Sequence, residues 1–205
     1  MYLRKNDANT LLDSLKNELL DEIRDDSEFL LSLLDEDDWS FVIKSHALIE
    51  ASLTELLVKQ LGDSRIKKVI ELLPLSDSRA GKIKLARDLE ILEDKEYNYI
   101  RRYSELRNQL VHKVENINFT FESYISQMNK DQRKSWYKHV CYFCDSQEDF
   151  ESWRKVAEEK PTVALFMGLL QLVSKNTMTG HQKQGSSNIS TLSDQTMREL
   201  LGEVD

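Results

Sequence analysis

The sequence predicts an all-α fold, a compact multi-helix bundle with an aromatic-rich insertion and a flexible C-terminal tail, and three observations carry that expectation. Glycine and proline number only 6 and 2 among 205 residues, too few to punctuate a chain of short strands and tight turns. Leu, Glu, Lys and Asp dominate, which is the composition of helices. Apolar residues recur at spacings of three and four over most of the chain, the period of one helix face. With 40% hydrophobic residues and a mean hydropathy of −0.53, a chain of this length buries one ordinary core. A single helical domain is therefore expected over 1–179, with its core at about 38–175, an aromatic-rich insertion at 117–160 and a flexible tail at 180–205.

NTLLDSLKNELLDEIRDD sets Leu11, Leu12, Leu15, Leu19 and Ile23 on one helical stripe, and FLLSLLDEDD continues it after Ser27. SFVIKSHALIEASLTELLVKQLG follows, with Ser40 as the expected N-cap, Gly62 as the C-cap, and a stripe of Val42, His46, Ile49, Leu53 and Leu56. RIKKVIELL stops before Pro74, and LSDSRAGKIKLARDLEIL restarts behind the capping residues Ser76, Asp77 and Ser78. EDKEYNYIRRYSELRNQLVHKV reads as one helix from a cap near Asp94. From Ile117 to Trp153 the chain holds 9 of its 17 aromatic residues in 37 positions, an insertion-like segment expected to form its own small cluster. Pro161 suits the first turn of an apolar helix, TVALFMGLLQLVSK. GHQKQGSSNISTLSDQ is rich in Gly, Ser, Gln and Asn without period and reads as a flexible linker, in which His181 has no evident role; TMRELLGEV could form one short helix beyond it.

Charge narrows the function classes. The formal net charge of −8 is uneven: residues 1–64 hold 6 Lys/Arg against 15 Asp/Glu, residues 65–113 hold 12 against 8, and residues 114–205 hold 10 against 13. Only the middle segment is basic, so independent binding to duplex DNA is not expected. The longest apolar stretch, VALFMGLLQLV, is too short to span a bilayer, and MYLRKNDANT contains no apolar run of the secretory kind. A cytoplasmic location and no membrane association are the resulting expectations. GxxxxGK[ST] and GxGxxG do not occur, and no nucleotide cofactor is expected. His139, Cys141 and Cys144 lie close together in HVCYFC, but zinc takes four ligands and no second pair stands at a suitable spacing, so no metal is expected either.

The basic segment contains RNQLVH. At roughly 100° per residue, Ile100, Tyr103, Leu110, Val111 and Val114 cluster around Arg107, which places that guanidinium on the apolar stripe. Asn108 and His112, four apart, share one flank of the stripe and face outward. A cation on a core-facing stripe must be paired or must line a groove, and His46 and Glu50 are the nearest candidate partners. Two readings of these residues stand side by side. In the chemical one, His112 is a general acid or base and Arg107 holds a phosphate, which is metal-free RNA cleavage through the 2′-hydroxyl. In the structural one, Arg107 forms a salt bridge with a carboxylate such as Glu50 and His112 caps the helix.

Arg107, Asn108 and His112, at the end of a long helix in an all-α chain, resemble the R-N-x-x-x-H motif of the HEPN superfamily. SFVIKSHALIEASLTELLVKQL, RAGKIKLARDLEILEDKEYNYIRRYSELRNQLVH and VALFMGLLQLVSK, in that order, resemble the mannitol operon repressor family. The resemblance implies a helical bundle, a homodimer, and regulation through protein partners without a DNA-reading helix. Carried over from HEPN nucleases, it implies instead a metal-independent endoribonuclease in which Arg107 and His112 of two subunits face each other across the dimer cleft, with Asn108 in support. The aromatic segment from Ile117 to Trp153 aligns with neither family and the acidic N-terminal helices would repel RNA unless they point away from the cleft, features that suit a binder; an acidic helical surface would also suit a toxin-neutralising or immunity protein covering a basic nuclease. Regulation by protein contact is the leading expectation and RNA cleavage the alternative.

Overall fold

The structure, a computed structural model, describes residues 4–201, save the side chains of residues 5, 8, 25 and 26; it is all-α, with no strand among the described residues. The first helix, α1 (Lys5–Ser32), merges the two expected N-terminal stripes into one. A short 3₁₀ turn leads into α2 (Asp38–Leu61), whose cap is not Ser40. Asp37 accepts from the Ser40 amide at 3.0 Å and from its hydroxyl at 2.6 Å, so a carboxylate meets the positive end of the helix dipole. Those bonds hold the Asp37 carboxyl below its usual range. Gly62 closes α2 in the left-handed region, φ 72°, as its position implies.

Three short steps follow: α3 (Lys67–Glu71), α4 (Lys82–Asp88) and the 18-residue α5 (Asp94–Val111). Helix α4 begins later than the capping residues suggest, because Asp77 accepts from the amides of Arg79 and Ala80 and closes a turn of its own. Glu93 and Glu96 form a reciprocal capping box that starts α5. Then come α6 (Phe121–Ser126), α7 (Lys130–Val140) and α8 (Gln147–Glu159). Arg133 of α7 donates to the carbonyls of Ile125, Ser126 and Met128, a guanidinium set against the negative end of α6.

Helix α9 runs from Pro161, at its first turn as expected, through Leu201. The expected flexible linker is therefore a correction: residues 180–201 continue a 41-residue helix. Helix α1 runs antiparallel beside it, with Arg4 bonded to Glu199 at 2.7 Å and Glu22 bonded to His181 at 2.6 Å. Gly185 faces the Leu15 side chain, so small residues here serve close helix contact. His181, with no evident role in the sequence, is buried and shares Glu22 with Lys59, 2.8 Å away on α2. Burial alone would raise the Glu22 pKa, but the bonds and charges of Lys59 and His181 outweigh it and lower it.

Helices α2 and α9 lie parallel, tied by Thr162 to Asp38 at 2.9 Å and Asn176 to Ser52 at 2.9 Å. Helix α5 crosses them in the opposite sense, bonding Leu165 through Tyr99 and, through Glu96, Lys175. The core fills the space between them with Phe41, Ile49 and Leu53 of α2, Ile100 and Leu106 of α5, and Leu169 and Leu172 of α9. The aromatic segment forms the expected cluster, with Phe119, Phe121, Tyr124 and Trp136 in mutual contact, and also joins the main core. Phe121 meets Phe41 of α2 edge-on at 6.4 Å between ring centres, and Tyr142 lies on Tyr99 of α5 at 4.7 Å, because rings of this size fill the gap over α2 and α5.

Gly168 is where those rings meet α9. Tyr99 donates to the Leu165 carbonyl at 3.1 Å and Tyr142 to that of Gly168 at 2.8 Å, and a Cβ at 168 would stand 3.2 Å from Tyr99 and 3.3 Å from Tyr142. Gly168→Leu is expected to lower stability by about 1–3 kcal/mol or more through overpacking. Urea denaturation checks this; an unchanged midpoint would show that the tyrosine pair gives way freely.

Candidate functional site

Helix α5 positions the residues of RNQLVH. Its buried side carries Tyr99, Ile100, Tyr103, Leu106 and Leu110, and its solvent side is held by Arg101 and Arg102 against Glu105. The helix stops at Val111 because Asn116 turns back and donates to the Gln109 carbonyl at 2.7 Å, while His112 takes the C-cap position with φ −84°. Arg107 is half-buried, and Asn108 and His112 are exposed. The flank that the helical wheel assigns to those two is thus the solvent flank.

The expected salt bridge from Arg107 to Glu50 does not form. Lys82 of α4, only 2% exposed, reaches Glu50 instead at 2.7 Å. A lysine sealed in the core must have a carboxylate, and Glu50 is the one its position offers. Arg107 is left with Asn108: its Nη1 donates to Asn108 Oδ1 at 3.1 Å, and its Nε is buried without a hydrogen-bond partner. Removing Arg107 would therefore orphan no carboxylate, and Lys82 is the residue whose loss would.

His46 lies on α2 and is nearly enclosed. Burial pushes its pKa down, the Arg107 charge pushes it further, and Glu50 offsets part of the effect. The helices thus gather Arg107, His46, Glu50 and Lys82 into one charged patch, with Asn108 and His112 at its outer edge. Lys82 is the member that the sequence pattern did not suggest; its only signal was a lysine following a glycine at the head of a short helix.

Around the outer edge the surface is apolar as well as polar. Val111 is exposed, and beyond the helix end Val114 and Ile117 are 84% and 59% exposed. Two cavities lie elsewhere. One of about 410 Å³ is set between α5, α6 and α7, and a wider groove runs between α7 and α8; neither is lined by Arg107, Asn108 or His112. Those three residues therefore stand outside both, while Gln109 of the same motif lines the first.

HVCYFC resolves into separate environments. His139 donates from Nδ1 to the Ser135 carbonyl at 2.6 Å, and Cys141 is buried with its thiol pushed up to about 12 by burial and the neighbouring Cys144. No helix among the described residues is long and apolar enough to cross a membrane. No protein-family model matches the chain, and no curated protein and no solved structure matches it either.

The depressed pKa of His46 has a pH signature. The unfolded state takes up a proton near pH 6.5, before the folded state does, so the stability His46 contributes is complete above that pH and declines as pH falls through the window below it. His46→Gln is expected to flatten the fall in stability between about pH 7 and pH 5.5. Denaturation midpoints across that range test it; a variant profile parallel to the wild type would sink the assignment.

Proposed function

We propose that this chain is a non-enzymatic regulatory protein that acts by protein contact, in the manner of the mannitol operon repressor family it resembles, and that the outer face of α5 is its contact surface. One observation carries the reading: Val111, Val114 and Ile117 are exposed in the same short stretch of chain as exposed Asn108 and His112. Apolar side chains beside hydrogen-bonding ones on an open surface suit a protein interface. The occupant most consistent with the resemblance is a second copy of the chain, related by a two-fold axis through this face. The acidic first helix adds a surface for a basic partner, which is where a toxin-neutralising role would act: Lys5–Ser32 carries Lys5, Lys16 and Arg24 against eight Asp and Glu residues.

The second reading is a metal-independent endoribonuclease of the HEPN kind. Arg107 favours it, because no described carboxylate forms a salt bridge with this guanidinium and its charge is open to a phosphate. His112 would be the general acid or base and Asn108 would orient the arginine, with the second subunit completing the cleft.

Sedimentation and RNA incubation separate the two. The wild type is expected to self-associate at micromolar concentration, Val114→Asp to dissociate it at least tenfold more readily, and structured and unstructured RNA to remain intact in EDTA. Cleavage that survives chelation and disappears in His112→Ala, with the melting temperature unchanged, would replace the regulatory reading with the nuclease. A wild type that stays monomeric would remove both the homodimer and the composite cleft.

A further inference from the structure

The cavity between α5, α6 and α7 has the size and lining of a ligand site. Its volume, about 410 Å³, falls within the roughly 300–1,000 Å³ that small-molecule sites occupy. Buried apolar groups such as Leu106 and Leu165 form its base, and Tyr124 and Trp136, edge to face at 5.6 Å between ring centres, form an aromatic wall. Flat π surfaces of this kind accept a planar ring.

Three glutamine amides, Gln109, Gln127 and Gln132, stand in the polar lining. Gln109 has no side-chain hydrogen bond of its own. Gln127 donates to Ser123 at 3.3 Å and keeps its carbonyl oxygen, while the Gln132 carbonyl is engaged by the Asn129 amide and its NH₂ remains. His139 gives its Nδ1 proton to the Ser135 carbonyl, so in the neutral ring Nε2 is an acceptor. Arg102 is bound to Glu105 at 3.1 Å, so the two charges on the lining offset each other. Donors and acceptors of amide type with balanced charge do not select an anion. They match a lactam, whose adjacent N–H and C=O pair with an amide edge.

We propose that this cavity binds an uncharged planar nitrogen heterocycle bearing a lactam edge, of about the size of a purine nucleoside. The ring stacks on one of the two aromatic rings and meets the other, which stands nearly perpendicular, edge to face, and the lactam faces the glutamines. The site rests on neither functional reading above. It borders the exposed motif, since Gln109 belongs to RNQLVH and stands one helical turn before His112.

Calorimetric titration of the full chain with inosine tests this, with purine riboside, which lacks the lactam carbonyl, as the paired probe and uridine as a smaller lactam. Saturable one-to-one binding of inosine is expected, at least tenfold tighter than purine riboside. The Gln109→Ala, Gln127→Ala double variant is expected to lose at least tenfold in inosine affinity with an unchanged melting temperature, since both side chains are exposed. Tyr124→Ala is expected to weaken all three ligands alike. No saturable binding of inosine or uridine at millimolar concentration would overturn the proposal, as would equal affinity for inosine and purine riboside, or binding indifferent to the two glutamines. Self-association is read by sedimentation and RNA cleavage by the state of the RNA, whereas this site is read by heat of nucleoside binding, so their failure and the failure of this site are distinguishable.

Discussion

Helices α2 and α9 lie side by side and run the same way, in a register fixed by Asp38 with Thr162 and Ser52 with Asn176. Parallel neighbours cannot be joined by a short turn, so the chain between Gly62 and Pro161 must travel back along the bundle before α9 can start. That return is α5, antiparallel to both, and α3, α4, α6, α7 and α8 are the steps into and out of it. Asp38 holds the lower end together, accepting from Thr162 with one oxygen and from the Phe121 amide with the other. At the upper end α1 comes down beside α9 and closes the pair. Every candidate site on α5 inherits its orientation from this arrangement.

Charges placed inside the bundle follow from the same geometry. Lys82 meets Glu50, Lys175 meets Glu96 and Lys59 meets Glu22, in each case across two helices. Lys82 and Glu96 are the buried members of these pairs, and a buried charge is tolerable only with such a partner. The accounting reaches the surface too. Much of the basic excess of residues 65–113 is spent locally: Lys67 on Glu55, Lys84 on Asp88, Arg87 on Asp94, and Arg101 and Arg102 on Glu105. Lys68, Arg79, Arg107 and Lys113 are the cations of that segment that form no salt bridge with a described carboxylate. Arg107 is the half-buried one among those without a salt bridge, Lys82 having taken Glu50.

Helix α5 thus presents three environments around one axis. Its inner side is core, its outer side bears Asn108 and Val111 and leads through the His112 cap to exposed Val114 and Ile117, and the side with Gln109 walls a cavity. The tyrosines carry the division. Tyr99 and Tyr142 seal the core side against Gly168 with their hydroxyls spent on α9 carbonyls, while Tyr124 and Trp136 face each other at the cavity. A single helix can serve all three because 3.6 residues per turn distributes neighbours in sequence to different surfaces.

The sequence by itself determined what depends on neighbours within a turn or two. The all-α class, the αL cap at Gly62, the start of α9 at Pro161 and the exposed flank of Asn108 and His112 all rest on local spacing and backbone preference. Only the tertiary structure decided which of several cations would meet Glu50, because that choice is made between residues 32 apart, by distance and enclosure. It also decided the fate of residues 180–201, whose small polar composition suggested a linker until α1 supplied a second helix for Gly185 and His181 to lie against. The aromatic segment joined the main core for the same reason: a ring's burial is fixed by the helices that surround it, and its own sequence states only that it is large and apolar.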